Sequence, residues 1–155
     1  VGIPDTPTIT NFSPAIGLVG DAVTITGTNF QTAAGDNKVK FNSLRSPISS
    51  ANATTIVTSV PATHSGKISV STPFGSAITS GDFFIPPAGY MVSDIENAGR
   101  MSVNTTHTLT VSTQTKVSMV IFDGMAGQQL VTDGDDFDGR AGLGGHTTAG
   151  RGVGT

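Results

Sequence analysis

Four aspartates near the carboxyl end form the densest group of side chains in the chain that could do chemistry. Carboxylate oxygens are the ligands that Ca²⁺ prefers, so this group predicts a calcium site. An EF-hand loop needs an oxygen ligand at its fifth position, where this segment has Phe137. A solvated acidic loop is the ordinary interpretation, and a calcium site is the alternative. The four residues are Asp133, Asp135, Asp136 and Asp138.

Other side chains that often carry catalysis are scattered. His64, His107 and His146 are far apart in sequence, and none has a Glu at metal-site spacing. No serine lies in a Gly-x-Ser-x-Gly elbow, and the glycine-rich tail lacks the strand and helix that flank a phosphate loop. Cysteine is absent, which excludes disulfides and thiolate metal sites. We therefore predict no enzymatic activity and no cofactor besides the calcium alternative.

Charge and hydropathy restrict the partners. Residues 1–87 carry four basic and four acidic side chains, whereas residues 88–155 carry four basic and seven acidic ones. Nucleic-acid binding relies on clustered Lys and Arg, which neither half shows in sequence, so no nucleic-acid partner is predicted. The longest apolar run, Val117–Phe122 interrupted by Ser118, is far shorter than the roughly 20 residues that cross a bilayer, so no membrane insertion is predicted.

Carbohydrate is an alternative partner. Sugar rings usually stack on exposed Trp or Tyr side chains. The chain has no Trp and a single Tyr, which disfavours such a site. Tyr90 and Phe74 are the candidate sugar contacts.

Short strands and turns must position these residues, because no run of helix-forming residues is present. The segment Asn11–Phe30 sets the pattern: the strand Ala22–Thr26 alternates apolar and polar residues between two turns. Gly27 and Asn29 are expected to end this strand, and Phe30 is expected to close one end of a core. The other predicted strands are Thr8–Thr10, Lys38–Phe41, Leu44–Ile48, Thr54–Val60, Lys67–Ser71, Ser76–Thr79 and Phe83–Ile85.

Turn signals every 8 to 12 residues or so favour an all-β fold, an immunoglobulin-like β-sandwich of the early set with about seven strands. Two prolines at Pro86 and Pro87 predict a linker, so residues 1–86 are predicted to form this domain. Residues 87–138 are predicted to form a partial second β unit. Residues 139–155 are predicted to be a disordered tail, because seven of these seventeen residues are glycine.

Within the second unit, three strands are predicted, and one stretch is ambiguous. Tyr90–Met101 is compatible with a capped helical turn at Ser93–Glu96 or with a strand edge. Three strands bury little area by themselves, so the unit is expected to be incomplete. The predicted strands are His107–Val111, Lys116–Phe122 and Gln128–Thr132.

The amino-terminal module resembles a known family. Its segments Pro7–Pro14, Gly17–Gly20 and Val23–Phe30 are similar to the opening signature of IPT/TIG domains, the immunoglobulin-like fold shared by plexins and some transcription factors. The resemblance continues through Asn37–Phe41 to Phe83 and covers about residues 7–85. Residues 89–132 resemble, more distantly, the segment that follows such domains in exported bacterial proteins of the RHS/YD-repeat type.

This resemblance implies a non-catalytic structural or interaction module, a spacer or adhesion unit, in a bacterial cell-surface or secreted multidomain protein. Its expected partners are neighbouring domains of the same chain or other proteins. Since the sequence starts without an initiator Met or a signal sequence, we expect it to be a fragment of a longer exported chain. The alternative is a carbohydrate-binding accessory domain of a secreted glycosidase, because amylase-type enzymes contain a similar domain.

Overall fold

The computed structural model describes residues 5–102, 105, 108–113 and 115–124. Within these residues the chain forms short strands and two single-turn 3₁₀ helices, Ala34–Asp36 and Val92–Asp94. No helix in this described part is long and apolar enough to cross a membrane. The strands are β1 (Thr8–Ser13), β2 (Ala22–Thr28), β3 (Lys38–Phe41), β4 (Leu44–Ser46), β5 (Ile48–Ala51), β6 (Thr55–Ser59), β7 (Ile68–Thr72), β8 (Gly75–Ile78), β9 (Ile95–Met101) and β10 (Val117–Phe122).

The first eight strands form two four-stranded antiparallel sheets, with strand orders β1-β2-β6-β5 and β4-β3-β7-β8. Alternation along the strands explains their packing. In β2, Val23 and Ile25 are buried, whereas Thr24 and Thr26 face outward. The two apolar faces meet and form the predicted immunoglobulin-like sandwich.

The hydrophobic core lies between the two sheets. The rings of Phe41 and Phe83 meet edge to face with their centroids 5.1 Å apart, a favourable arrangement for aromatic pairs. Phe30 is only 3% exposed and packs in this core, as predicted. The core residues are Val23, Ile25, Phe30, Val39, Phe41, Ile56, Val60, Ile68, Val70 and Phe83.

Gly27 lies inside β2 and does not end it, contrary to the prediction. A Cβ atom at this position would lie 1.9 Å from the carbonyl oxygen of Thr8. Glycine is therefore required because the backbone of β1 approaches β2 closely, as is common for glycines within strands. Asn29 follows the strand with a φ of 60°, a left-handed conformation that Asn tolerates better than most residues.

The predicted strand Leu44–Ile48 is in fact two strands in different sheets. Pro47 lies between β4 and β5 and has no backbone N–H to donate to either sheet. Beside it the buried hydroxyls of Ser46 and Thr58 are 2.6 Å apart. Thr58 donates a hydrogen bond of 2.7 Å to the carbonyl oxygen of Pro47. The chain thus crosses between the sheets at proline, with its buried polar groups satisfied.

The prediction of a strand at Phe83–Ile85 was wrong. Only two isolated bridges occur there, from Gly66 to Phe83 and from Ile16 to Phe84. Phe83 and Phe84 are both buried, so the side chains do not alternate between a core and a solvent face as in a one-sided strand. This segment instead contacts both sheets as the chain leaves the sandwich.

Beyond the sandwich, β9 and β10 pair in parallel. The ambiguous stretch Tyr90–Met101 contains both a 3₁₀ turn and a strand, and the predicted strand Lys116–Phe122 is present as β10. The predicted strand His107–Val111 was wrong, because its described residues 108–111 belong to no strand. Parallel neighbours need a crossover of a dozen or more residues, and the segment between the end of β9 and the start of β10 is long enough to form it.

Some predictions about the carboxyl-terminal part concern residues that the structure does not describe. Gln128–Thr132 and residues 139–155 lie outside the described residues. The domain boundaries at residues 86 and 138 therefore stay predictions.

Candidate functional site

The predicted calcium ligands lie outside the described residues, as do His107 and His146. In the part of the chain that the structure describes, no three His, Cys, Asp or Glu side chains come together as a metal site would require. The calcium site therefore stays a prediction. Its four aspartates are Asp133, Asp135, Asp136 and Asp138.

The two candidate sugar-contacting aromatics lie at opposite ends of the sandwich. Phe74 is in the β7–β8 turn, next to Gly75, where a Cβ would lie 2.7 Å from the side chain of Thr6. Thr6 precedes β1, whose first residue pairs with the last residue of β2. Tyr90 shares a groove with Leu18, which precedes the start of β2. The two rings therefore cannot form one sugar-stacking platform.

The end of the sandwich from which the chain exits is held by backbone hydrogen bonds. Phe84 donates to the carbonyl oxygen of Ala15 at 2.9 Å, and its own carbonyl oxygen accepts from the N–H of Gly17 at 3.1 Å. Ile85 donates to the Ser65 hydroxyl at 2.8 Å. A turn closed by Tyr90, which donates to Pro87, then redirects the chain. The exit path is therefore fixed as far as Tyr90.

This exit turn forms one wall of an open, mostly apolar groove of about 520 Å³. Tyr90 is 37% exposed and Val19 is 55% exposed, so both present apolar area to solvent. His64 also lines this groove. The groove is lined by Leu18, Val19, Ala62, Thr63, His64, Ile85, Pro86, Pro87, Ala88, Gly89 and Tyr90.

A buried carboxylate, Asp82, lies at the same end of the sandwich. Its side chain is only 5% exposed. Local backbone pairing fixes its position, because the next residue, Phe83, exchanges hydrogen bonds of 2.7 and 2.9 Å with Gly66. Just before it, the Thr79 hydroxyl donates to the carbonyl oxygen of Gly81 at 2.7 Å. Asp82 is therefore a rigid acceptor at the edge of the core.

The partner of this carboxylate comes from the following segment. Arg100, in β9, donates from Nε to Oδ2 of Asp82 at 2.8 Å and from Nη2 to Oδ1 at 2.7 Å. Its third nitrogen, Nη1, donates to Asp123 at 2.6 Å, just after β10. Lys67, from the sandwich, lies 3.7 Å from Asp82. We call these four residues the ionic junction.

The charges in the ionic junction stabilise one another. The hydrogen bonds from Arg100 lower the pKa of Asp82, overcoming the opposing effect of burial, and the positive charges of Arg100 and Lys67 add to that lowering. Asp82, in turn, raises the pKa of Arg100 above its ordinary value, with a smaller contribution from Asp123. Asp82 is therefore an anion at neutral pH, and the pair is fully charged.

The ionic junction is suited to holding two segments together, because a bidentate Arg–carboxylate pair fixes direction as well as distance. Asp82 and Arg100 are eighteen residues apart, and no sequence motif marks them. Sequence patterns alone therefore did not identify these two residues. The one available signal was for Asp82, a charged residue directly before Phe83 and Phe84.

The IPT/TIG domain model matches residues 7–84, which is half of the chain. No curated protein matches the chain in sequence. The matched range ends between Asp82 and Arg100, so the ionic junction joins the matched part to the segment that follows it.

Several solved structures contain a similar sandwich. An auxiliary nutrient binding protein from Bacteroides thetaiotaomicron VPI-5482 is 22% identical with a TM-score of 0.51, covering 53% of this chain and 21% of that one. An auxiliary nutrient binding protein from Bacteroides ovatus ATCC 8483 is 18% identical with a TM-score of 0.50, over 53% and 21% of the two chains. The extracellular region of plexin A4 is 24% identical with a TM-score of 0.47, over 52% and 10%. The alignments thus span about a fifth of each Bacteroides chain and a tenth of the plexin chain.

Proposed function

Because the chain belongs to the IPT/TIG domain family, we propose that it is a non-catalytic structural and interaction module of a bacterial cell-surface or secreted multidomain protein. Its role is to hold the segment that follows the sandwich in a defined orientation. The ionic junction is the observation that carries this proposal. It connects the sandwich to β9 and β10 through side chains rather than through the linker alone.

Geometry supports an orienting role over a simple tether. A flexible linker lets its two ends sample many orientations, whereas the two parallel hydrogen bonds between Arg100 and Asp82 restrict rotation. Arg100 also binds Asp123, so one guanidinium ties β9, the end of β10 and the sandwich together. Pro86 and Pro87 further restrict the connecting backbone.

The length of the similar structures also supports the proposal. The Bacteroides proteins are about five times longer than the part that aligns, so a sandwich of this kind is one part of a larger chain in them. A module in such a chain serves its neighbours by setting their positions. A cell-surface or secreted location is part of the proposal.

Distance measurements between spin labels test the orienting role. The chain has no cysteine, so Thr24→Cys in β2 and Thr115→Cys before β10 provide two unique labelling sites, both exposed. We expect one narrow distance distribution in the doubly labelled chain. Asp82→Asn, which removes the bidentate acceptor, should broaden it, whereas Asp36→Asn at an exposed carboxylate should not. A distribution that is already broad, or one that Asp82→Asn leaves narrow, would contradict the proposal.

A carbohydrate-binding accessory domain is the second candidate, and the groove beside Tyr90 is the observation that favours it. Two similar structures are named as nutrient-binding proteins, but at 22% and 18% identity the likeness extends to the fold alone. Native gels containing soluble starch or another neutral polysaccharide test this candidate. Retardation that Tyr90→Ala abolishes and Phe74→Ala preserves would favour it. Unchanged mobility would exclude binding to the polysaccharide used.

A further inference from the structure

The sheet β4-β3-β7-β8 has one face in the core and one face toward solvent. In β3, Val39 and Phe41 point inward, so Lys38 and Lys40 point outward. Arg45 of β4 lies directly opposite Lys40 in the antiparallel register, which places both on the same face. Three of the four basic residues in residues 1–87 therefore share one surface. We call this surface the basic face; its residues are Lys38, Lys40, Arg45, Ser69, Ser71, Ser76 and Ile78.

These cations have no ionic partner among the residues that the structure describes. Every ion pair among the described residues involves Asp82 or Asp123, which both belong to the ionic junction. Asp36 precedes Lys38 by two residues in the 3₁₀ turn but does not form an ion pair with it. Like charges directly opposite each other in a sheet are destabilising, and Arg45 faces Lys40. Packing of the sandwich does not account for this arrangement, since all three side chains are exposed.

Residues that lie opposite one another on neighbouring strands form rows across the sheet, and serine hydroxyls extend the rows that begin at Lys38 and Lys40. Lys40 is opposite Ser69, and Lys38 is opposite Ser71, which is in turn opposite Ser76. Neighbouring outward positions on one strand are about 6.6 Å apart, and directly opposite residues on two strands about 5 Å apart. The basic face is therefore a surface on which positive charges and hydroxyls repeat at short intervals. Serine hydroxyls both donate and accept hydrogen bonds.

We propose that the basic face binds a linear anionic polysaccharide, one that carries carboxylate or sulfate groups along its length. Its negative groups complement the three cations, and its hydroxyls can exchange hydrogen bonds with the serines. This inference is independent of the ionic junction and of the groove beside Tyr90. It adds a ligand-binding surface to a module whose proposed role is otherwise positional.

The composition of the basic face favours a polysaccharide over other polyanions. Protein interfaces are built around aromatic and apolar residues and are depleted of lysine, whereas Ile78 is the one large apolar side chain in the rows described above. Single-stranded nucleic acid is held by aromatic side chains on which its bases stack, and these rows contain none. A polysaccharide needs neither feature when charge supplies the attraction.

Affinity electrophoresis and calorimetry on the full chain test the proposal. The probes are polygalacturonate for carboxylate groups, dextran sulfate for sulfate groups, and uncharged dextran as the matched neutral polymer. We expect binding to at least one anionic polymer at 50 mM NaCl and none to dextran. The double variant Lys40→Gln/Arg45→Gln should weaken that binding at least tenfold, because it removes two of three cations. Lys116→Gln, which removes a cation next to β10, should change it less than twofold.

The salt dependence of binding and the comparison with other partners provide further tests of the proposal. Binding through this face should weaken steeply between 50 and 300 mM NaCl, and the double variant should flatten that dependence. Three results would overturn the proposal: no binding to either anionic polymer at low salt, equal binding by the double variant, or tighter binding to single-stranded DNA than to both polysaccharides. A change in oligomeric state on mutating Lys40 and Arg45, measured by light scattering, would instead identify the face as a contact between copies and also overturn it.

Discussion

The sandwich and the β9–β10 pair differ in what holds their strands in place. The sandwich has ten core side chains, most of them nearly inaccessible to solvent. In β9 and β10 every residue is exposed or only partly buried. Two strands alone are marginal in water, and the described part of this region has only two, so we expect its order to depend on Arg100 and its partners. Apolar burial therefore maintains the first region, whereas directional charge pairing positions the second.

The largest expected effect is a loss of stability when a side chain in the core of the sandwich is removed. Phe30→Ala should lower the free energy of unfolding by about 3 to 5 kcal/mol, because it empties a buried aromatic site. Urea denaturation followed by circular dichroism measures this change. The matched control is Phe122→Ala in β10, where the ring is 36% exposed, and the expected loss is below about 1 kcal/mol. Equal losses at the two sites would contradict the difference drawn between the regions.

A backbone contact within the sandwich should give the next largest effect. Gly27→Ala should cost at least about 2 kcal/mol, because its Cβ would overlap the Thr8 carbonyl oxygen and push β1 away from β2. Gly35→Ala is the control, since no atom lies within 4 Å of the Cβ it would add. The same denaturation curves report both variants. A Gly27→Ala chain as stable as its parent would mean that β1 adapts without loss.

Breaking the ionic junction should have a smaller effect on the sandwich. Asp82→Ala removes the buried partner of Arg100, whose side chain is 31% exposed, so a loss of about 2 kcal/mol is expected, between the values for buried and exposed pairs. Amide hydrogen exchange should show β9 losing protection more than β2. Uniform loss of protection across both regions would show that the pair stabilises the whole chain rather than the connection.

The smallest effect is the pH dependence of that connection. Because the folded-state pKa of Asp82 lies below its ordinary value of 3.8, its contribution is present above about pH 4 and is lost as pH falls through the folded-state pKa. The stability difference between the parent chain and Asp82→Asn should therefore shrink as pH is lowered from 5 toward 2. Denaturation at several pH values measures it. A difference that grows on acidification would contradict the assigned charge state.

Local patterns predicted the sandwich well where one face of a strand is buried. Val23 and Ile25 alternate with threonines, and this pattern gave both the strand and its inward side. The prediction failed where consecutive residues are both buried, as at Phe83 and Phe84, and where an alternating stretch, 108–111, lies in the connection between two strands. Period-2 alternation reports burial on a single face, and neither case has one.

By itself the sequence determined the family, the all-β class and the inward side of β2 with Phe30, because these depend on the spacing of apolar side chains and turn residues along the chain. Only the tertiary structure decided which distant charges meet. The four basic and four acidic residues of the first 87 positions cancel in number, yet folding places three cations on one sheet face and Asp82 beside Arg100. Strand register and sheet order set those neighbours, and both arise from contacts between residues far apart in the chain.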